Sequence, residues 1–135
     1  MAFNTTFRYV DDMVFLAGTK EELWRILGIV RSEMVCLRLE LKPNLQVFSV
    51  EARGIDFLGY VFFHGYTLLR KSVKRKIFKR IAALRRGSVS EEAFMKSMAS
   101  WQGWLKWCDS RRLSEKIDNE LQNIKRRKKN EDNLQ

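Results

Sequence analysis

The stretch Phe7-Arg8-Tyr9-Val10-Asp11-Asp12-Met13-Val14-Phe15-Leu16 decides how the rest of the chain is read. Two short runs, Phe7 to Val10 and Met13 to Ala17, are rich in β-branched and aromatic residues, and Asp11-Asp12 separates them. Two such runs joined by a two-residue polar link predict a β-hairpin. Aspartate tolerates the positive φ that such a link demands. Adjacent carboxylates at a hairpin tip concentrate negative charge in solvent. Their most direct chemical use is to offer hard oxygen ligands to a divalent cation, Mg²⁺ or also Mn²⁺. Two such ions about 3.5–4 Å apart serve nucleotidyl transfer, activating an attacking hydroxyl and stabilising a leaving pyrophosphate. The plainer account of two neighbouring aspartates is an ordinary turn. Tyr-x-Asp-Asp between two apolar strands is the more specific pattern.

Downstream, Thr19 is a good N-cap, with Glu21 and Glu22 in the first turn, where the helix dipole favours acids. Leu23, Ile26, Leu27, Val30 and Met34 recur at helical spacing, which predicts an amphipathic helix over 20–36. Pro43-Asn44 marks a turn, and 46–50 is expected to be a short strand. A second hairpin is expected after Gly54, from Ile55–Phe63 and Tyr66–Arg70, turning at His64-Gly65. From Ser72 the pattern is helical. Val73, Ile77, Ile81 and Leu84 form one stripe, Gly87 stops it, and Ser90 opens the next helix. Phe94, Met98, Trp101, Leu105 and Cys108 form a second stripe, and Leu113, Ile117, Leu121 and Ile124 a third. The basic run 125–129 is expected to lead into a frayed polar tail. No internal repeat is present.

The chain has 135 residues with a formal charge of +10. Residues 1–70 carry eight bases and eight acids, so they are neutral; residues 71–135 carry 18 bases and eight acids. Within 71–86 there are eight bases and no acid. This asymmetry predicts two modules, with the second facing a polyanion, nucleic acid first. Few Gly and Pro exclude collagen-like chains, and no apolar run reaches the length of a membrane span. Met1 to Thr6 offers no basic n-region, which predicts no signal peptide. Two cysteines make no disulfide framework and predict a reducing, cytoplasmic compartment.

Taken together, three segments carry a family resemblance. Tyr9-Val10-Asp11-Asp12 with its flanking apolar runs resembles the catalytic hairpin of reverse transcriptases, RNA-directed DNA polymerases. Leu39-Glu40-Leu41-Lys42-Pro43-Asn44 followed by Val47-Phe48 resembles the loop and strand after the palm helix of that family. Gly54-Ile55-Asp56-Phe57-Leu58-Gly59-Tyr60 resembles its primer-grip hairpin. The basic helix from Lys71 and Ser100-Trp101-Gln102-Gly103-Trp104-Leu105 resemble its thumb. The order and spacing cover nearly the whole chain, and the match is best to bacterial enzymes of the group II intron and diversity-generating retroelement kind.

The resemblance implies an α+β fold: a partial right-hand polymerase palm over 1–70, built of two β-hairpins and a helix, then a basic three-helix thumb over 71–135. It implies Mg²⁺-dependent DNA synthesis on an RNA template from a DNA primer. Asp11 and Asp12 would be the catalytic, metal-binding pair. Tyr9, Phe57, Leu58, Gly59 and Tyr60 would grip the primer. Lys71, Lys74, Arg75, Lys79 and Arg80 would run along nucleic-acid phosphates. The fingers and the family's other metal-binding Asp, on an earlier strand, are not in the chain. It is therefore expected to be inactive alone and to self-associate or pair with an N-terminal polymerase fragment. Where many relatives carry a Lys, Leu45-Gln46 stands, with Lys42 three positions earlier.

Other residues have plainer readings. His64 is expected at a surface turn, and Cys36 and Cys108 as small core residues. Trp101 is expected in the helical core, with one of Trp104 and Trp107 exposed. Two further functions compete: a non-catalytic basic nucleic-acid-binding module, and a remnant of a mobile element.

Overall fold

Among the described residues, turn chemistry divides the β structure into two small antiparallel sheets, and five helices complete a mixed α+β arrangement. The computed structural model describes residues 5–132. The N-terminal tetrapeptide read for a leader and the last three residues of the polar tail lie outside them. The chain forms two compact units, Met1–Ser49 and Val50–Gln135. The change in charge near 70–72 falls inside the second unit.

In the first unit, β1 (Thr5–Tyr9) pairs with β2 (Asp12–Leu16), and α1 (Lys20–Cys36) follows. The ladder runs from Thr5↔Leu16 to Tyr9↔Asp12, so the two-residue loop is Val10-Asp11, not Asp11-Asp12. This register enlists the β-branched Thr5 and Thr6 and leaves Ala17 and Gly18, poor strand residues, outside the ladder. It forces Val10 to φ +51, with φ positive at the first loop residue only, as in a type II′ turn. The helix begins and ends where its spacing predicts. Thr19 accepts the Glu22 amide at 3.2 Å. At the far end Arg38 adopts φ +55, the Arg38 amide donates to Val35 O at 3.0 Å, and the Leu39 amide donates to Met34 O at 2.9 Å. That is a Schellman cap with arginine in the place glycine prefers. The expected strand at 46–50 does not form. Residues 45–49 are irregular and Val50 opens α2 (Val50–Arg53). An extended segment becomes a strand only where a neighbour offers a ladder, and the sheet of this unit has two members, β1 and β2.

The second unit carries a three-stranded meander, β3 (Ile55–Phe57), β4 (Tyr60–Phe63) and β5 (Tyr66–Leu69). The span 55–63 expected as one strand is thus broken at Leu58-Gly59. Then come α3 (Lys71–Arg85), α4 (Glu91–Leu105) and α5 (Arg111–Asp132). Helix α3 ends in a second Schellman cap: the Gly87 amide donates to Leu84 O at 3.0 Å and the Ser88 amide to Ala83 O at 3.1 Å. Ser90 caps α4 by accepting the Ala93 amide at 3.2 Å. Helix α5 runs through the basic run 125–129 and on to Asp132, so the first residues expected to be frayed are helical. The core is Leu69, Ile77, Ile81, Leu84, Phe94, Ile117 and Ile124. Six of these come from the predicted helical stripes and Leu69 comes from β5, with Trp101 set edge-on against Phe94 at 5.7 Å. Asp109 seals the edge of β5: its amide donates to Thr67 O and its carboxylate accepts the Thr67 amide, each at 2.7 Å. No helix among the described residues is long and apolar enough to cross a membrane.

Candidate metal and nucleic-acid sites

At the tip of the first hairpin Asp11 lies in the loop and Asp12 opens β2, and both are exposed. Cross-strand partners point to the same face of a ladder. The pair Tyr9↔Asp12 therefore puts the Tyr9 and Asp12 side chains on one face of the ladder, and Tyr9 is itself exposed. Arg8 braces the loop, its Nε donating to Val10 O at 3.1 Å. A β-branched residue at positive φ is a true outlier, costing on the order of 1–3 kcal/mol, and Val10 holds that position between Tyr9 and the aspartates. The carboxylate oxygens suit Mg²⁺ or Mn²⁺. Among the described residues no group of three or more His, Cys, Asp or Glu side chains comes together. Two carboxylates fall short of the set that fixes two ions.

Phe57, Leu58, Gly59 and Tyr60 come together as one turn, the β3–β4 connection. Leu58 has φ +49 and Gly59 φ +86, both positive as a type I′ turn requires. Leucine thus sits where asparagine is preferred. Trp104 of α4 lies over this turn, 5.4 Å from the Tyr60 ring between centroids, and the Tyr60 hydroxyl donates to Trp104 O at 3.1 Å. A Cβ on Gly59 would meet Trp104 at 2.5 Å. Burial there raises the Tyr60 hydroxyl above its ordinary value, and the neighbouring Cys108 adds to the shift. Gly59 and Tyr60 are therefore engaged by α4, and Leu58 is the exposed member of the four. Arg70 closes the base of the meander through an ion pair with Asp56, and its amide N–H donates to Gly59 O at 2.8 Å.

Lys71, Lys74, Arg75 and Lys79 line one face of α3, with Phe78 and Ala82 between them, around a shallow concavity of about 570 Å³. At 100° per residue, Arg80 stands roughly 170° around the helix from that face. Its Nε is buried without a hydrogen-bond partner among the described residues. The structure thus unites four of the five cations expected on phosphates and sets Arg80 apart.

Sequence reasoning missed a second cationic group. Lys106, Arg111, Arg112 and Lys116 gather with Lys74 at the α4–α5 corner. The available signal was Arg111-Arg112 opening a helix whose first turn holds no acid. His64 is at a turn as expected, 3.1 Å from Glu51. Cys36 is exposed, not a core residue, because the side of α1 that carries it is left uncovered. Cys108 is half-buried and donates weakly to Leu105 O at 3.7 Å. Both Trp104, at 36 %, and Trp107, at 71 %, are exposed, where one of the two was expected to be. No family model and no curated protein matches the chain.

Proposed function

We propose that this chain is the palm-and-thumb portion of a reverse transcriptase of the group II intron or diversity-generating retroelement kind. In that reading it serves templated DNA synthesis from a DNA primer on an RNA template. The observation that carries the proposal is the hairpin tip: Tyr9 across from Asp12, with strained Val10 presenting two exposed carboxylates. Strain of that kind gathers at functional sites. Asp11 and Asp12 would hold Mg²⁺, which supplies charge neutralisation and an activated primer hydroxyl when bound. Tyr9 would stack beside the primer end. Leu58, at its exposed turn, and Phe57 would bear on the primer strand, with Gly59 and Tyr60 fixing that turn to α4. The cationic face of α3 would follow the phosphates. Completing a two-ion site requires a further carboxylate, and the proposal expects no primer extension by these residues alone.

A second reading, a non-catalytic nucleic-acid-binding module, is favoured by the lack of any third ligand beside the pair among the described residues. Manganese separates the two. Paramagnetic broadening of amide signals by Mn²⁺ is expected to centre on 9–13 and to vanish in Asp11→Asn with Asp12→Asn. Absence of that focus leaves the binding module.

A further inference from the structure

The α4–α5 corner holds a concavity that the proposed function leaves unused. It lies within the second unit, bounded by β5, α3 and the start of α5, with a volume of about 990 Å³. Leu69, Phe78, Leu105 and Leu113 give it an apolar floor. Its rim carries five cations, Lys74, Lys106, Arg111, Arg112 and Lys116, against one carboxylate, Asp109. Asp109 is engaged with the Thr67 amide at 2.7 Å, and among the described residues Arg111 pairs with the exposed Glu115, at 3.2 Å. Arg111 and Arg112 also stand at the positive end of a helix dipole with no acid in that turn. Cations are disfavoured there, and an anion relieves the crowding.

The floor decides which anion. A duplex keeps its bases stacked inside and offers mostly phosphate and sugar to a protein, so an apolar hollow gains nothing from it. A single strand presents unstacked base faces together with phosphates. Phe78 brings an aromatic ring to the floor, and Lys116 Nζ lies 5.2 Å from its centroid. Lys74 and Phe78 also line the face of α3, so the two concavities share part of their walls. We infer that this corner binds single-stranded nucleic acid, seating an unstacked base on the floor and phosphates on Arg111, Arg112 and Lys116. The inference rests on the reading of α3 as a nucleic-acid face, but it makes a separate claim, carried by Arg111, Arg112 and Lys116.

The test is fluorescence anisotropy on the full chain, with a labelled oligo-dT strand and a labelled blunt duplex of equal length. Arg111→Glu with Arg112→Glu is expected to weaken the strand about tenfold or more and to leave the duplex within about twofold. The salt slope for the strand should fall by about 1.4, at 0.7 per lost contact. Lys116→Glu, a second exposed substitution, is expected to act in the same direction, with circular dichroism reporting an unchanged fold. Lys71→Gln with Arg75→Gln is expected to weaken the duplex. Equal losses on strand and duplex at the corner, or no loss on the strand, overturn the inference while duplex binding preserves the α3 reading. Binding of neither probe overturns both. Displacement of the strand by a poly-glutamate peptide at equal charge concentration makes the corner a peptide site and also overturns it.

Discussion

Leu58 and Gly59 are neighbours in one turn, and substitutions at them should move stability in opposite directions. Leu58 holds a positive φ that asparagine adopts more readily. Leu58→Asn is expected to raise the urea midpoint, by about 1 kcal/mol in free energy. Gly59→Ala meets both an unfavourable φ and the Trp104 ring, and is expected to lose about 2–4 kcal/mol. At Cys108, burial is the main cause that pushes the thiol above its ordinary value, with Asp109 adding to it. The folded state therefore keeps a proton that the unfolded chain releases. The contribution is whole below the ordinary thiol value of about 8.5 and is lost as pH rises past it. Tyr60 acts in the same direction at higher pH. Melting temperature should fall on the alkaline side, and Cys108→Ala should flatten the fall.

The two Schellman caps make a matched experiment at the scale of the element. Gly87 ends α3 with open space around it, so Gly87→Ala costs only the left-handed backbone, about 1 kcal/mol. Arg38 ends α1 in the same geometry, and Arg38→Gly is expected to return a similar amount. Thermal melts of the two variants should shift in opposite directions. Elements were the most legible part of the sequence. The helical stripes, the Thr19 and Ser90 caps and the Gly87 stop all rest on interactions within one turn of helix, which local spacing encodes. The strands were harder. Both the loop at Val10-Asp11 and the break at Leu58-Gly59 put a bulky residue at positive φ, against the preference by which turns are recognised. The segment 46–50 has strand composition, but strand formation depends on a partner elsewhere in the chain.

For the whole molecule, the contrast lies between the units. Val50–Gln135 buries seven hydrophobic residues and Met1–Ser49 buries Leu27 alone among the described residues. Trp24, Ile29, Val35 and Leu37 stay exposed. Backbone protection follows buried apolar packing. Hydrogen exchange read by mass spectrometry should therefore open α1 and the first hairpin well before α3–α5. Simultaneous exchange of both units would contradict this. The candidate metal pair sits on the unit with the smaller buried core, which is expected to hold its geometry less firmly. The placement of the candidate residues was legible where charge and motif were local: the aspartates, the Phe57–Tyr60 turn and the row on α3. Arg80 was grouped with that row, though it stands on another side of α3, because a run of bases on paper mixes both sides of a helix. The corner cations were missed because they gather from three elements.

The seating of Trp104 over Gly59, beside Tyr60, also furnishes an optical gauge. Indole emission shifts with solvation, and a tyrosine 5.4 Å away transfers its excitation efficiently. With Trp24, Trp101 and Trp107 replaced by phenylalanine, the colour of the remaining indole would report in real time whether the turn is docked. A polymer drawn across Leu58 would then announce itself without any label.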